Sequence, residues 1–385
     1  MGKWNRMTIQ ECTDILGDGL HGTPKYNENG EYAFINGNNL LNGKVCVKKE
    51  TKRVDYEEYQ KYKKPLNDRT ILVSINGTLG NVGLYNDEKI VLGKSACFFN
   101  VKKSIDKDFI YYVVSSSKFK QYLEVNATGT TIKNFSLKQM REYSFEIPEN
   151  IEEQKKVSSL LRQIDLKIQT NNEINDNLEQ QAQTLYRQMF IENASSDWKE
   201  GSLSDVADIT MGQSPSGSSY NEDGIGTIFF QGRAEFGFRF PSVRLFTTEP
   251  KRMARANDTL MSVRAPVGDL NVAYTDCCIG RGLAAIHSKS NHQAFVHYTM
   301  VSLKKQLDVF NGEGTVFGSI NRNALNEMPI IIPSDEKLDE FESLVSPIDA
   351  IIRNNFDEIC RLEAIRDSIL PKLMSGELNV SSINI

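Results

Sequence analysis

Two short motifs near the start of the chain contain residue types that could bind phosphate. Residues 17–22, Gly-Asp-Gly-Leu-His-Gly, fit the G-x-G-x-x-G pattern of dinucleotide-binding proteins. That pattern requires a helix directly after it, whereas Thr23-Pro24 follows and predicts a turn. Residues 93–95, Gly-Lys-Ser, resemble the end of a P-loop, but Glu88 stands where the loop requires its first glycine. Neither motif therefore predicts a nucleotide site.

Catalytic and metal-binding patterns are not recognisable elsewhere in the sequence. Glu153-x-Lys155 and Glu249-x-Lys251 have no Pro-Asp partner at nuclease spacing, and no Ser–His–Asp, Cys–His or methyltransferase constellation is present. The six cysteines include no Cys-x-x-Cys pair, and the four histidines lack metal-ligand spacing. We therefore predict no catalytic residues, no metal and no cofactor, and free thiols in a reducing compartment.

Composition and charge narrow the class of protein further. The chain has 385 residues with a net charge of −5, and its apolar runs are too short to span a bilayer. The N-terminus lacks an apolar signal region, so we predict a cytoplasmic protein without membrane contact. Residues 1–150 are net basic, residues 198–333 are balanced, and the segments 151–197 and 334–385 are acidic. A nucleic-acid binder with this charge would need a partner to neutralise many of the phosphates.

A helical pattern over residues 157–189 recurs over residues 341–373, with apolar spacings that alternate between four and three. Residues 151–192 contain neither proline nor glycine, which predicts one helix roughly 60 Å long. In the second copy, Pro347 predicts a kink or a break. The predicted seam consists of Val157, Leu161, Ile164, Ile168, Asn171, Leu178, Leu185 and Met189 in the first copy, and of Phe341, Val345, Ile348, Ile352, Asn355, Leu362, Ile369 and Leu373 in the second.

Two matching amphipathic helices in one chain can bury each other's apolar faces. The globular segment that connects them favours an antiparallel coiled coil related by a pseudo-twofold axis. Asn171 and Asn355 are counterparts near the middle of the seam, and a buried asparagine fixes register at a cost in stability. We hypothesise that these two residues meet across the axis. In the alternative, the helices bend outward and both amides are solvated.

The segments before the two helices follow one plan, which predicts an α+β protein with a pseudo-twofold internal repeat. Residues 70–75 and 96–101 are predicted strands, and residues 109–123 have helical spacing. Further pairs support the repeat: residues 258–263 match residues 69–75, Gly129-Thr130 matches Gly314-Thr315, and Ile147-Pro148 matches Ile332-Pro333. The predicted domains are a mixed α/β domain at 1–150, a helix and linker at 151–197, a second mixed domain at 198–333, and a helix with a frayed tail at 334–385.

The repeated helices, the two Ile-Pro pairs and the closing string Ile-Leu-Pro-Lys-Leu-Met-Ser-Gly-Glu-Leu at 369–378 resemble one family over essentially the whole chain. That family is the DNA-specificity subunit of type I restriction-modification systems. Two departures bear on the straightness of the second helix: Pro347 stands where the first copy has Gln163, and Arg366 stands where it has Ala182.

The resemblance implies a division of labour between subunits. Each globule would be a target-recognition domain that reads one half of an asymmetric, bipartite double-stranded DNA target. The helices would act as a ruler and as docking surfaces for two methyltransferase subunits, which would bind S-adenosylmethionine and flip out the adenine. A motor-nuclease subunit could join for cleavage. The alternative is a non-catalytic coiled-coil scaffold that presents two protein-binding modules, which the weak positive charge favours.

Base and phosphate contacts require exposed basic, amide or hydroxyl side chains on loops. For each candidate, a solvated loop or a structural hydrogen bond is the alternative. The predicted DNA-contacting residues are His21, Thr23, Lys25, Lys48, Lys49, Lys52, Asn76, Thr78 and Lys94 in the first globule, and Gln213, Ser214, Ser216, Gln231, Arg233, Arg264 and Arg281 in the second.

Overall fold

The structure is a computed structural model, and it describes residues 3–129, 132–312 and 318–378. The chain divides into two compact units. The first unit comprises residues 1–171 with 357–385, and the second comprises residues 172–356. The predicted Gly-Thr pairs at 129–130 and 314–315 and the predicted fraying of the tail 379–385 lie wholly or partly outside the described residues.

The first unit contains a four-stranded antiparallel sheet of order β2-β10-β7-β8, a three-stranded sheet of order β6-β3-β9 and the pair β1-β11. Its globular elements are β1 Trp4–Thr8, α1 Ile9–Cys12, β2 Thr13–Asp18, β3 Tyr32–Ile35, β4 Leu40–Leu41, β5 Lys44–Val45, β6 Arg53–Val54, α2 Tyr56–Tyr62, β7 Thr70–Ser74, β8 Val82–Leu84, β9 Ile90–Leu92, β10 Ala96–Val101, α3 Lys107–Ser115, α4 Ser117–Asn126, α5 Leu137–Glu142 and β11 Ser144–Pro148.

Strands β7 and β10 are buried along their whole length, because both faces of their sheet are covered. This explains why they occur in the sequence as continuous apolar runs rather than as alternating patterns. The segment predicted as one helix over 109–123 is two helices, α3 and α4. Ser116 separates them, because its side chain accepts a hydrogen bond from Phe119 N and caps the second helix.

The second unit repeats this plan. Its four-stranded sheet has the order β13-β21-β18-β19, its small sheet has the order β14-β16-β15-β20-β17, and β12 pairs with β22. Its globular elements are β12 Lys199–Ser202, α7 Leu203–Val206, β13 Ala207–Met211, β14 Tyr220–Asn221, β15 Thr227–Phe230, β16 Leu245–Thr247, β17 Met253–Ala254, β18 Thr259–Ser262, β19 Leu270–Val272, β20 Cys277–Ile279, β21 Leu283–Ser288, α8 Gln293–Ser302, α9 Lys304–Leu307, α10 Arg322–Asn326 and β22 Pro329–Ile332.

The two units also share strand directions and helix caps, which the burial of apolar side chains alone does not determine. Each small sheet contains a parallel pair, β3 with β9 and β15 with β20, and an antiparallel neighbour on the other side. In each globule, the first strand is followed by a short helix that starts with a capping box. The boxes are Thr8 with Glu11 and Ser202 with Asp205, where the hydroxyl and the carboxylate each satisfy a backbone N–H.

Two long helices run through both units. Helix α6 spans Ile151–Arg187 and continues as a π-helical turn at Gln188–Glu192, and α11 spans Asp335–Met374. The prediction of a break at Pro347 was wrong, because α11 is continuous there, and a kink at that position stays a prediction. An interior proline costs about 3 kcal/mol. Phe341 and Val345 before it and Ile352 after it are fully buried, and this packing offsets the cost.

Within the first unit, contacts between α6 and α11 proceed in opposite directions along the two helices. In the first unit Arg366 Nη1 donates to Asp165 Oδ1 at 3.0 Å, and Asn171 Nδ2 donates to Glu358 Oε2 at 2.7 Å. In the second unit Asn355 Nδ2 donates to Asn175 Oδ1 at 2.8 Å. Asn171 is buried rather than solvated. A direct contact of Asn171 with Asn355 would join the two units and stays a prediction.

Among the residues that the structure describes, no helix has both the length and the apolar character needed to cross a bilayer.

Candidate nucleic-acid interface

In the first unit, four strand ends meet at one edge of the main sheet. Backbone hydrogen bonds hold the loops there together: Leu20 N donates to Leu92 O at 2.7 Å, and Ile75 N donates to Ser95 O at 2.9 Å. We call residues 19–25, 75–81 and 93–95 the first loop edge. The edge gathers polar side chains that are far apart in sequence onto one surface.

One glycine of the apparent dinucleotide motif, Gly19, has a packing role at this edge. A side chain on Gly19 would collide with the carbonyl oxygens of Leu92 and Gly93. Its counterpart in the second unit, Gly212, would collide with Gly280 in the same way. The pattern therefore reflects close approach of two backbones, not a phosphate cradle.

Most candidates on the first loop edge are available for contact. The side chains of Thr23, Lys25, Thr78 and Lys94 are exposed. His21 is exposed too but pairs with Asp18. Asn76 is half-buried, and its Nδ2 donates to Asn134 Oδ1 at 3.3 Å, so its amide also holds a neighbouring loop in place.

Lys48, Lys49 and Lys52 lie beside the small sheet, in the segment just before β6. All three are exposed, and none forms an ion pair with another described residue. Lys52 Nζ lies 4.5 Å from the centre of the Tyr26 ring, and Tyr56 is 59% exposed nearby. Tyr26 and Tyr56 were missed from the sequence, although interleaved lysines and tyrosines can bind nucleic acid. We call these five residues the lysine–tyrosine face.

In the second unit, the same four strand ends form an equivalent edge. Gly212 N donates to Leu283 O and Val263 N donates to Gly282 O, each at 2.9 Å. Arg281 N donates to Ser214 Oγ at 3.2 Å, which joins two of the predicted contact residues. We call residues 212–216, 263–269 and 280–282 the second loop edge. Gln231 adjoins it, because Gln231 O accepts from Gly282 N.

The candidates here differ in how free their side chains are. Gln213, Ser216, Gln231, Arg264 and Arg281 are exposed, and Ser214 is half-buried. Arg264 and Arg281 form no ion pair within the described part of the chain. Arg233 is exposed too, but its Nη1 lies 2.7 Å from Asp269 Oδ2. Arg264 and Arg281 are therefore better placed than Arg233 to donate to a base or phosphate.

All of the predicted seam positions are at least half-buried. Val157, Leu161, Ile168, Asn171, Phe341, Val345, Ile352 and Leu373 are buried, and Ile164, Leu178, Leu185, Met189, Ile348, Asn355, Leu362 and Ile369 are half-buried. Ala182, the seam counterpart of Arg366, is buried as well. Tyr186 and Phe190 are also buried, and these two residues were missed. They pack against α8 and α11 together, so the heptad pattern alone does not identify them.

A buried arginine in the second unit was also missed. Arg239 is only 6% exposed, and its guanidinium bridges the two long helices. Nη1 donates to Glu179 Oε2 of α6 at 2.9 Å, and Nη2 donates to Asp349 Oδ1 of α11 at 2.5 Å. Tyr298 OH also donates to Glu179 Oε2, at 3.2 Å. No periodicity in the sequence marks this residue.

The surroundings of Arg239 fix the protonation of its neighbours. Burial raises the pKa of Asp349, although Arg239 acts in the opposite direction. Burial and Arg239 together hold the pKa of His297 well below its usual value of 6.5. Arg239 Nη1 donates to His297 Nε2 at 2.7 Å, so the single ring proton lies on Nδ1, 3.2 Å from Thr259 Oγ1.

The first unit has a different arrangement at the equivalent place. Tyr112 OH donates to Asp165 Oδ2 at 2.7 Å, and Arg366 of α11 pairs with the same carboxylate. Burial and the hydrogen bond to Asp165 raise the pKa of Tyr112, so the phenol stays protonated. Asp106 caps α3 and accepts from Ser158 Oγ of α6 at 2.7 Å.

Neither loop edge has the donor set of a metal centre. In residues 3–129, 132–312 and 318–378, no group of three or more His, Cys, Asp or Glu side chains is arranged to hold an ion. The polar groups that converge at the edges are instead hydrogen-bond donors, acceptors and cations. Such a set can recognise base edges and phosphates.

Comparisons with known proteins identify the family that this chain matches. The family described as type I restriction modification DNA specificity domain matches residues 1–180 and 195–363. A specificity subunit of type I restriction enzyme MjaX from Methanocaldococcus jannaschii is 28% identical over 98% of this chain and 94% of its own length. The MjaIX specificity subunit of that organism is 23% identical over 94% of this chain and 87% of its own length.

A solved structure shares the fold. The crystal structure of the S subunit of a type I restriction-modification system from M. genitalium matches with a TM-score of 0.62 at 19% identity, covering 97% of this chain and 96% of that chain. The family match takes in both loop edges and most of both long helices. The chain therefore belongs to the type I restriction-modification DNA specificity family.

Proposed function

We propose that the chain is the DNA-reading, non-catalytic subunit of a modification complex, with one half of a bipartite target read by each loop edge. The observation that supports this most strongly is the repeated convergence of four strand ends with different polar groups. The first edge presents Lys25, Thr78 and Lys94, and the second presents Gln213, Arg264 and Arg281. Different donors and acceptors select different bases, so the target is asymmetric.

The two long helices form an antiparallel coiled coil in this proposal and set the spacing of the half-sites. They also dock two methyltransferase subunits, which bring S-adenosylmethionine to the flipped adenine. Leu344 and Ile351 support docking, because they are seven residues apart on α11 and each is 45% exposed. Exposed apolar side chains that adjoin on one face of a helix can contribute to the apolar patch of a protein interface. In this proposal, the complex binds and methylates DNA in the cytoplasm.

The net charge of the chain is consistent with DNA binding that is shared with the partner subunits. The net charge is −5, so phosphate binding by this chain alone is weak. Lys48, Lys49 and Lys52 provide a local positive surface in the first unit, and the partner subunits provide the rest. The scaffold alternative predicts that binding to DNA is absent or independent of sequence.

The direct test is a gel shift with the methyltransferase partner present, on duplexes that carry both half-sites or one altered half-site. Arg264→Ala is expected to weaken binding to the intact target by about 1–3 kcal/mol. It is expected to have no effect on a duplex whose second half-site is already altered. An equal loss on both duplexes would remove Arg264 from base reading.

Lys48→Ala provides the contrasting control. Loss of one phosphate contact should weaken all duplexes by the same factor and reduce the slope of log affinity against log salt by about one. Sequence-selective loss would show instead that Lys48 contacts a base.

Docking is tested by Leu344→Glu with Ile351→Glu, because a charged face cannot be buried against an apolar partner surface. Size-exclusion chromatography should show loss of one bound methyltransferase subunit. Unchanged stoichiometry would contradict docking on this face of α11.

A further inference from the structure

One loop of the second unit, residues 231–244, connects the second loop edge to both long helices. At its start, Phe230 O accepts from Gly280 N at 2.8 Å and Gln231 O accepts from Gly282 N at 3.3 Å, so this end lies among the proposed base-reading residues. Arg239 follows only eight positions later. One end of the loop is therefore at the DNA-facing edge and the other is on the helices.

The helix end of the loop is held by charge and by apolar packing together. The guanidinium of Arg239 donates to Glu179 of α6 and to Asp349 of α11. The next residue, Phe240, is 5% exposed and packs in a cluster with Ile352 of α11 and Leu178 of α6. The loop thus contacts both helices through two adjacent residues.

The stretch between the two ends is also tied to the sheet. Val272 N donates to Arg239 O at 2.8 Å, and Asn271 Nδ2 donates to Gly237 O at 2.9 Å. Both partners are on β19, the edge strand of the main sheet, and the loop runs beside it. A shift of the helices relative to this strand would have to strain or break one of these bonds.

A buried guanidinium between two carboxylates is weak evidence for stability, because desolvation opposes the attraction. Its planar fork does impose geometry, since both carboxylates are satisfied in only one arrangement of the loop and the two helices. A methionine could fill much of the same space without that constraint. The choice of arginine therefore favours a role in orientation.

We propose that Arg239 is a positioning residue that fixes the second loop edge relative to the adjoining segments of α6 and α11, and so determines the half-site spacing that the protein accepts. This inference rests on the proposed function. Arg239 is buried and does not contact DNA. It acts through Gln231, Arg264 and Arg281, which are exposed at the edge.

The experiment uses the full chain with its methyltransferase partner. The DNA target is first identified by methylome sequencing, and duplexes are then made with the natural spacer and with one base pair more or less. For Arg239→Met, the preference for the natural spacer over the altered spacers should fall at least tenfold, while affinity for the natural spacer falls only a few-fold. Arg239→Lys should lie between Arg239→Met and the unchanged protein.

Arg244→Met is the matched control. Arg244 is in the same loop and pairs with Glu222 and Glu235, which are both in the same globule. Its replacement should leave the spacer preference unchanged. Asp349→Asn tests the same contact from the helix side and keeps an acceptor for Arg239, so it provides a readout if Arg239→Met does not fold.

A uniform loss of affinity on all three duplexes for Arg239→Met would overturn the proposal, because it would indicate a structural role alone. The same holds if Arg244→Met relaxes the spacer preference as much. If the unchanged protein shows no preference for a bipartite duplex at all, the proposed function itself fails, and this outcome is distinct from the other two.

Discussion

In each unit the globular part, here called the head, contacts the long helices through a tyrosine and an acidic side chain. The arginine that pairs with the acidic side chain belongs to a different element in each unit. Asp165 and Asp349 occupy equivalent positions in the helical repeat, and so do Tyr112 and Tyr298 in α3 and α8. In the first unit the cation is Arg366, which is on α11 itself. In the second unit the equivalent helix position is Ala182, and the cation is Arg239 of the head.

This difference shows that a duplicated fold can keep an interaction while moving one of its members to another element. In the first unit, α6 and α11 are joined to each other by an ion pair, Asp165 with Arg366, and the head contacts this pair of helices. The head of the second unit provides the group that joins the helices. The position and orientation of the second head should therefore depend much more on a single side chain.

The largest expected effect is on stability. Arg239→Met removes a 7% exposed guanidinium from between Glu179 and Asp349, and should lower the free energy of unfolding by at most about 3 kcal/mol, because those carboxylates keep 18% and 33% exposure. Arg366→Met should cost about 1 kcal/mol or less, because Arg366 and Asp165 are each 28% exposed. Chemical denaturation of both variants measures the contrast. Equal losses would mean that the two attachments are equivalent.

The tyrosines should show the reverse order. Tyr112→Phe removes a 2.7 Å hydrogen bond to Asp165, and we expect a loss of about 1.5–3 kcal/mol. Tyr298→Phe should cost less, because its hydrogen bond to Glu179 is longer, 3.2 Å. Denaturation with hydrogen exchange of α3 and α8 measures both. A larger loss for Tyr298→Phe would show that the phenol, not the guanidinium, holds the second head.

Acid should destabilise the second unit more than the first. His297 is neutral in the folded state because its pKa is held well below 6.5, whereas the unfolded chain takes up a proton near that pH. Stability is therefore retained above about pH 6.5 and lost below it, by at most about 1.4 kcal/mol per pH unit. The raised pKa of Asp349 acts in the opposite direction, because the folded state takes up this proton above the ordinary value of 3.8 and so gains stability as the pH falls toward that value.

Hydrogen exchange at pH 7.5 and 5.5, corrected for intrinsic rates, measures this effect. Protection of α8 should fall while that of α3 does not, because the counterpart of His297 in α3 is Tyr111. His297→Gln keeps an acceptor for Arg239 and should remove the difference. Equal loss of protection in both helices would locate the acid sensitivity elsewhere.

The smallest effect should be the same in both units. Thr8→Ala and Ser202→Ala each remove a capping box in front of a four-residue helix, and each should cost about 1 kcal/mol. Thermal unfolding of the two variants provides the comparison. A large difference between them would mean that the two halves are less alike in energy than in topology.

The repeat and the long helices were predictable because both follow from local patterns. Helical periodicity without proline or glycine predicts α6, and buried apolar runs predict β7 and β10. The break predicted at Pro347 is absent from α11, because the packing of Phe341, Val345 and Ile352 outweighs the cost of one missing hydrogen bond. Tertiary packing of this kind has no local sign in the sequence.

The site was predictable only in outline. Gly19 and Lys94 are far apart in sequence, and their adjacency follows from the order of strands in the sheet. Arg239 had no detectable pattern, because its partners Glu179 and Asp349 come from two helices and its environment is created by folding. The sequence identifies residue types that can bind DNA, but the order of strands in the sheet determines which of these residues lie on one surface.

The central claim is that each unit reads one half of the target, and exchange of residues 203–333 with those of a relative of known, different specificity tests it most directly. Methylome sequencing of a host that carries the chimera should show one half-site replaced by that of the relative and the other half-site retained. Replacement of both half-sites, or of neither in an active chimera, would contradict the account.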